Sequence, residues 1–289
     1  MILTNILLTS LKKYALFDKI DYGDYMKFKK VLLASDFDGT LKDDNGVITT
    51  DVKSAIADFM AQGGLFTVCT GRIYQGFHLY SPEYINAPVL LGNGAMAYDY
   101  KNEKVIFNDA LGAECYSAVN EVLNAFPDIS IEFYNFDCVC AINLNEHSEQ
   151  HFTSQGIDFK IIEKCEDAPL PWTKVMIAAH GHSKEVQDIL EKHTEINFLR
   201  TTGNYVEILK KGVDKGTGLL KLAEALGCKP EDTYAAGDGY NDVEMLVASA
   251  GGFVPENGSQ EALNVAKYVT RSNNDGCIAH AIEILNEIY

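Results

Sequence analysis

Short, continuous apolar runs alternate with stretches of helical spacing over the first third of the chain. Val31-Leu32-Leu33-Ala34-Ser35 is unbroken and apolar, as in a strand buried on both faces, and Asp36 follows it directly. Residues 51–62 place apolar side chains at 52, 55, 56, 59 and 60, one face of a helix, with Thr50 as N-cap and Gly63-Gly64 as the stop. Leu65-Phe66-Thr67-Val68-Cys69 is a second strand, ending at Thr70-Gly71-Arg72. Val89-Leu90-Leu91 is a third, ending at Gly92-Asn93-Gly94. This strand–helix–strand rhythm predicts an α/β fold around a parallel sheet.

The rhythm changes after residue 95. Residues 96–107 read as a hairpin. Residues 129–133 and 138–142 alternate around a Tyr134–Asp137 turn, 174–179 form a strand, 183–193 a helix, and 196–200 an extended segment. Adjacent hairpins predict an antiparallel α+β module. Helical spacing returns over 214–226, with Leu219, Leu222, Ala223 and Leu226 on one face and Gly227 as the stop. Thr233-Tyr234-Ala235-Ala236 is a strand feeding Gly237-Asp238; 252–254 and 267–270 are short strands, and 277–287 is a closing helix. The predicted organisation is a core of residues 26–109 and 204–289, split by an insertion at 110–203 and preceded by an extension at 1–25. Met26 opens MKFKKVLLASDFDGTL, so residues 1–25 read as an appendage or an early start.

Composition narrows the function classes. The 289 residues carry a formal charge of −17, a field that repels nucleic acid and anionic membranes but leaves room for a small anion held by local cations. The apolar run at residues 2–11 is too short to span a bilayer, which takes roughly 20 residues. Lys12 and Lys13 follow that run instead of preceding it, the wrong order for a secretory signal. Seven cysteines with no C-x-x-C pair argue against a zinc or disulfide framework and for a cytoplasmic location.

The chemistry gathers after the strands. Asp36-Phe37-Asp38-Gly39-Thr40, Thr70-Gly71-Arg72, Gly92-Asn93-Gly94 and Gly237-Asp238-Gly239-Tyr240-Asn241-Asp242 each follow a predicted strand. Ligands of open α/β sheets bind beyond the carboxyl ends of the strands, so these segments are expected to converge. The first and last bring four carboxylates together, which is costly without a cation. An all-oxygen set with no His or Cys suits Mg²⁺.

DFDGTL, TGR, the lysine of GVDKG and GDGYND, in that order, resemble the four signature motifs of the haloacid dehalogenase superfamily. The spacing is similar to that of its Cof-type phosphatases. The resemblance covers about residues 29–289 and implies a Rossmann-like parallel-sheet core with an inserted α+β cap that sets substrate specificity. It implies Asp36 as the nucleophile that accepts the phosphoryl group, and Asp38 as the acid and base for leaving group and water. Asp36, the Asp38 backbone carbonyl, Asp238 and Asp242 would hold Mg²⁺ or its water, Asp242 alternatively positioning Lys215. Thr70 and the Gly71 N–H would bind the phosphoryl group, Lys215 would offset its charge, and Asn241 would bind phosphate. The Asp36–Gly39 loop, Phe37 and Gly39 included, would offer backbone N–H groups. Arg72 either binds phosphate or orients the following segment, and Asn93 either contacts substrate or fixes a turn. Gly239 departs from the pattern, standing where many relatives carry Asn or Ser.

Lys210, Lys211, Asp43 and Asp44 read as solvated surface charges, and His147, His151, His180 and His182 as surface histidines. In the insertion, Phe133, Tyr134 and Phe136 either face the leaving group or serve as core (Phe133) and exposed aromatic (Tyr134). The implied activity is Mg²⁺-dependent hydrolysis of small phosphomonoesters of the sugar phosphate, flavin mononucleotide or pyridoxal phosphate type. A sugar phosphomutase using the same aspartate is the alternative, disfavoured by the single arginine, Arg200, between residues 110 and 203. An inactive phosphate-ligand sensor is the non-enzymatic alternative.

Overall fold

The computed structural model describes residues 26–200 and 205–289, so the expected extension at 1–25 lies outside the described residues. Strand β1 (Leu32–Ser35) is followed by helix α1 (Thr50–Ala61) and strand β2 (Leu65–Val68). The hydroxyl that caps α1 is that of Thr49, which accepts from the Val52 N–H, one residue before the expected cap. Strands β3 (Val89–Leu91), β4 (Met96–Asp99) and β5 (Lys104–Asn108) make a separate antiparallel sheet. The third apolar run is therefore not a full strand of the parallel sheet. It meets that sheet through a bridge between Cys69 and Leu90. Asn93 at φ 54° and Gly94 at φ 87° reverse the chain so tightly that the partner of β3 is its own return strand.

The middle of the chain runs α2 (Tyr116–Ala125), β6 (Ser130–Tyr134), β7 (Val139–Ile142), α3 (Glu146–Gln155), β8 (Lys160–Ile161), β9 (Lys174–Ala178), α4 (Ser183–Leu190), β10 (Ile196–Arg200) and β11 (Tyr205–Lys210). Its strands form one sheet in the order β10-β11-β9-β6-β7-β8. Because β11 pairs with both β9 and β10, this module extends past the expected return at residue 204, as far as Lys210. Helices α2 and α3 are not among the elements the hydrophobic pattern predicts. In α3 (EHSEQHFTSQ) Phe152 is the one large apolar residue, so no amphipathic period shows, and Asn145 caps it by accepting from the Ser148 N–H.

The chain closes with α5 (Lys215–Leu226), β12 (Thr233–Ala236), α6 (Val243–Ala248), β13 (Gly251–Pro255), α7 (Gln260–Val265), β14 (Tyr268–Thr270) and α8 (Cys277–Ile288). The main sheet has the order β14-β13-β12-β1-β2, every pair parallel. Strand alternation splits β1 between two layers. Leu33 packs with Val52, Ile56 and Phe59 of α1 and Ile278, Ala281 and Leu285 of α8; Leu32 and Ala34 pack with Leu219 and Leu222 of α5 and Met245 of α6. The six-stranded sheet buries Ile131, Phe133, Val175 and Ile177 against α2 and α4. Its opposite face turns Glu132, Tyr134, Met176 and Glu207 the other way, and Tyr134 and Met176 pack there with Ile73 of the core.

Helix α5 is seated by close backbone contact. A Cβ on Gly94 would lie 2.3 Å from the Asp214 carbonyl oxygen, and one on Gly218 would lie 2.6 Å from the Gly94 Cα. Gly94→Ala must therefore push the N-terminus of α5 away and also adopt a left-handed φ. We expect a loss of about 2–4 kcal/mol in urea unfolding, together with lost activity, because Lys215 is the first residue of α5. Wild-type stability in that variant would show that the approach is not tight.

Candidate active site

Four segments follow the carboxyl ends of their strands and meet at one end of the main sheet. Asp36 leaves β1 with its N–H donated to the Ala236 carbonyl, 2.7 Å, so the exits of β1 and β12 are tied together. Lys215, at 0% exposure, spans them: its Nζ lies 2.5 Å from Asp36 Oδ1 and 2.6 Å from Asp242 Oδ1. Asp242 Oδ2 accepts from the Asp238 and Gly239 N–H groups at 3.0 and 2.8 Å, which folds the GDGYND loop back on itself. Asp238 Oδ1 accepts from the Thr40 hydroxyl at 2.6 Å. Gly39, at φ 92°, lies so close to Asp238 that a Cβ there would be 2.7 Å from Oδ2.

One oxygen each of Asp36, Asp238 and Asp242 lies within 4.8 Å of the others. Burial pushes the Asp36 carboxyl up to about 8; Lys215 opposes this, while Asp242 and Asp238 add to it. Asp238 is raised by burial as well, with Thr40 opposing and Asp242 adding. Burial alone would lower the Lys215 ammonium, but Asp242 and Asp36 outweigh it and hold the lysine charged. One lysine against three carboxylates leaves an excess of negative charge, and the donors are all oxygens. That set fits a hard divalent cation such as Mg²⁺. Both oxygens of Asp242 already accept from protein donors, which suits it to positioning Lys215 and the loop.

Asp38 also borders the cavity but has other partners. Its carboxylate takes a two-point contact from Arg72, Nε to Oδ2 at 2.9 Å and Nη2 to Oδ1 at 3.2 Å, and Lys42 Nζ reaches Oδ1 at 2.6 Å. Partial burial would raise its pKa, but these two cations outweigh it and hold the group below the usual carboxylate range. The Asp38 carboxylate thus stands apart from the acidic cluster. The Phe37 ring is buried in the core, under Lys42 Nζ at 4.5 Å.

A cavity of about 370 Å³ opens over these groups. Asp36, Thr70, Gly71, Asp238 and Asn241 line its floor, and Tyr134, His151, Gln155, Met176 and Tyr205 its roof. Roof and floor are linked by hydrogen bonds. Lys174 Nζ donates to the Gly71 carbonyl at 2.9 Å and pairs with Glu207 at 3.1 Å. Asn93 donates its amide to Glu207 at 2.8 Å and accepts from Asn241 at 3.1 Å. Asn93 therefore both shapes the turn and bridges the two halves.

A profile of the haloacid dehalogenase-like hydrolases matches residues 33–282. The chain belongs to this family. Within it, the protein is an enzyme of the phosphatase class. Two Bacillus subtilis (strain 168) relatives are 5-amino-6-(5-phospho-D-ribitylamino)uracil phosphatases. YwtE is 25% identical, over 88% of this chain and 97% of its own, and YitU is 26% identical, over 89% and 98%. Two solved structures share the fold. A haloacid dehalogenase-like hydrolase from Bacteroides thetaiotaomicron has a TM-score of 0.75 at 23% identity, covering 89% of this chain and 99% of its own. The subclass IIB sugar phosphatase BT4131 has a TM-score of 0.79 at 21% identity, covering 88% and 98%.

In this family member, the motif residues Asp36, Thr70, Gly71, Asp238, Asn241 and Asp242 all border the cavity, and Lys215 lies directly behind them. Arg72 also borders it, but with its guanidinium on Asp38. The open question about the hairpin is divided by strand alternation: Phe133 is module core, while Tyr134, expected at the surface if not at the site, is buried and lines the roof. His151, expected to be an ordinary surface histidine, lines the roof too, because α3 lies on the site face of the sheet. Glu132, Lys174 and Glu207 were missed altogether. Their signal was a charged residue inside a largely apolar strand (ISIEF, YVEIL) or opening one (KVMIA), an arrangement that burial penalises unless a partner is supplied. Among the described residues, no helix is long and apolar enough to cross a membrane.

Proposed function

We propose that this hydrolase is a Mg²⁺-dependent phosphomonoesterase acting on small phosphorylated metabolites through a phosphorylated Asp36. The observation that carries this reading is the Asp36–Lys215–Asp242 triad at the strand ends, with Asp238 beside it and a roofed cavity in front. Asp38, once it leaves Arg72 and Lys42, takes up a proton from solvent; Asp36 attacks phosphorus, the bond from phosphorus to the leaving oxygen breaks, and that oxygen takes the Asp38 proton. Water then attacks the aspartyl-phosphate, Asp38 receives its proton, and inorganic phosphate leaves with the Asp36 carboxylate restored. Arg72 and Lys42 hold Asp38 until it turns to the leaving oxygen, and Thr70, Gly71 and Asn241 bind the phosphoryl oxygens. Asp36, Asp238 and the Asp38 backbone carbonyl would hold Mg²⁺, with Asp242 behind them. When bound, the metal supplies positive charge that lets an anionic nucleophile approach an anionic phosphoryl group.

A cavity of about 370 Å³ roofed by the inserted module supports a small substrate. Hydrolysis over transfer is supported by the lack of a free ammonium among the described roof residues: that of Lys174 is already spent on Glu207 and Gly71. A panel of cellular phosphomonoesters, read by released phosphate with and without an acceptor sugar, tests both points. Transfer to the acceptor in place of release would overturn hydrolysis.

Metal dependence has a second readout. Asp36 is raised when folded, so without a divalent cation the unfolded chain ionises first. This group then costs stability progressively as pH rises from about 4 to about 8. A bound cation removes that cost. We therefore expect Mg²⁺ to raise Tm more at pH 8 than at pH 5, and thorough chelation to lower turnover at least about 100-fold, reversed by added Mg²⁺. Equal increments at the two pH values, or activity that survives chelation, would remove the metal from the reading.

A further inference from the structure

The roof contains a polar constellation that the phosphoryl chemistry does not use. Glu132 is completely buried in β6, between Ile131 and Phe133 on the other face. Its Oε2 accepts from the Tyr134 hydroxyl and lies 3.0 Å from His151 Nδ1; its Oε1 is buried with no hydrogen-bond partner. The Gln155 amide nitrogen beside Nε2 can only donate, so Nε2 of His151 accepts and Nδ1 carries the hydrogen that Glu132 Oε2 accepts. Nε2 sits 2.6 Å from the side-chain amide nitrogen of Gln155, one turn further along α3, and both residues line the cavity. Burying a carboxylate here is costly where an apolar residue would pack. What the cost secures is one orientation and one tautomer of an imidazole at the cavity wall.

We propose that His151, oriented by Glu132, reads a hydroxyl of the leaving group. Nε2 accepts the hydroxyl proton in place of Gln155, whose amide is displaced by substrate. The leaving group is polyhydroxylated and carries no second anion. Glu132 adds an acidic group to the roof, and among the described residues the roof ammonium, Lys174, is already engaged by Glu207 and the Gly71 carbonyl. Glu132 is a positioning residue and His151 the contact. The inference rests on the cavity being the phosphomonoester site, and its test is separated from turnover.

Binding is measured calorimetrically in the Asp36→Asn background with three probes: sorbitol 6-phosphate, 6-phosphogluconate and inorganic phosphate. Sorbitol 6-phosphate is expected to bind at least about tenfold more tightly than 6-phosphogluconate, which differs by a terminal carboxylate. His151→Ala, and separately Glu132→Gln, should lower the affinity ratio of sorbitol 6-phosphate to inorganic phosphate about tenfold, the worth of one hydrogen bond. A ratio that stays within twofold in His151→Ala, or equal binding of the two six-carbon probes, overturns the proposal. A general loss of fold lowers both affinities and leaves the ratio unchanged, so it counts against it too. If the unsubstituted enzyme turns over no phosphomonoester, the hydrolytic reading fails by itself, and the binding ratio still decides this one.

Discussion

Asp36→Asn should abolish turnover of p-nitrophenyl phosphate, by roughly 10³-fold or more, while leaving the protein folded. The amide is nearly isosteric with the carboxylate and can still accept from Lys215, which keeps its ion pair with Asp242 at 2.6 Å. The β1 exit is further fixed by the Asp36 N–H bond to the Ala236 carbonyl, which the substitution does not touch. What disappears is the anionic oxygen that attacks phosphorus, and the carboxylates left at the strand ends are engaged, Asp38 by Arg72 and Lys42. Asp238 is tied to Thr40, and Asp242 accepts on both oxygens. Circular dichroism and Tm give the folding control. A variant that keeps more than a tenth of wild-type kcat would discard Asp36 as nucleophile.

Lys215→Met should be damaging in two ways at once. The ammonium is fully buried between two buried carboxylates, so its removal leaves Asp36 and Asp242 facing each other without compensation. Breaking a buried pair in this way costs about 3–5 kcal/mol, and turnover should fall at least about 100-fold because the charge that offsets the phosphoryl group is gone. The two losses can be separated. Adding Asp242→Asn removes one of the stranded charges, so the double variant should recover much of the stability in urea unfolding but little of the activity. Recovery of both would mean that Lys215 acts only in packing. Recovery of neither would mean that the coupling between Lys215 and Asp242 is weak.

Where the sequence was silent, a common physical reason applies. The parallel strands, α1, α5 and α8 bury continuous runs or wide apolar faces, and such patterns declare themselves locally. Helix α3 lays Phe152 on the sheet and leaves the rest of its length polar, so its existence depends on a neighbour the local pattern does not contain. The same holds for β11, whose place in the inserted module is set by pairing with β9 and β10 and not by its composition. Glu132 and Glu207 look like misplaced charges in strands until Tyr134, His151, Lys174 and Asn93 are seen around them.

By itself the sequence marked the candidate reactive end of the molecule: which aspartates, threonine and asparagine stand after which strands, and that their shared negative charge would suit a cation. Asp36, Thr70 and Asp238 are fixed by short-range order, because the end of a parallel strand is one place in the fold wherever the rest of the chain goes. Only the tertiary structure decided the roof. Which face of β6 meets the cavity, whether Tyr134 or Phe133 turns toward it, and that His151 stands beside Glu132 all follow from how the six-stranded sheet docks on the core. That docking is set by contacts between residues far apart in the chain, such as Lys174 with Gly71 and Asn93 with Glu207.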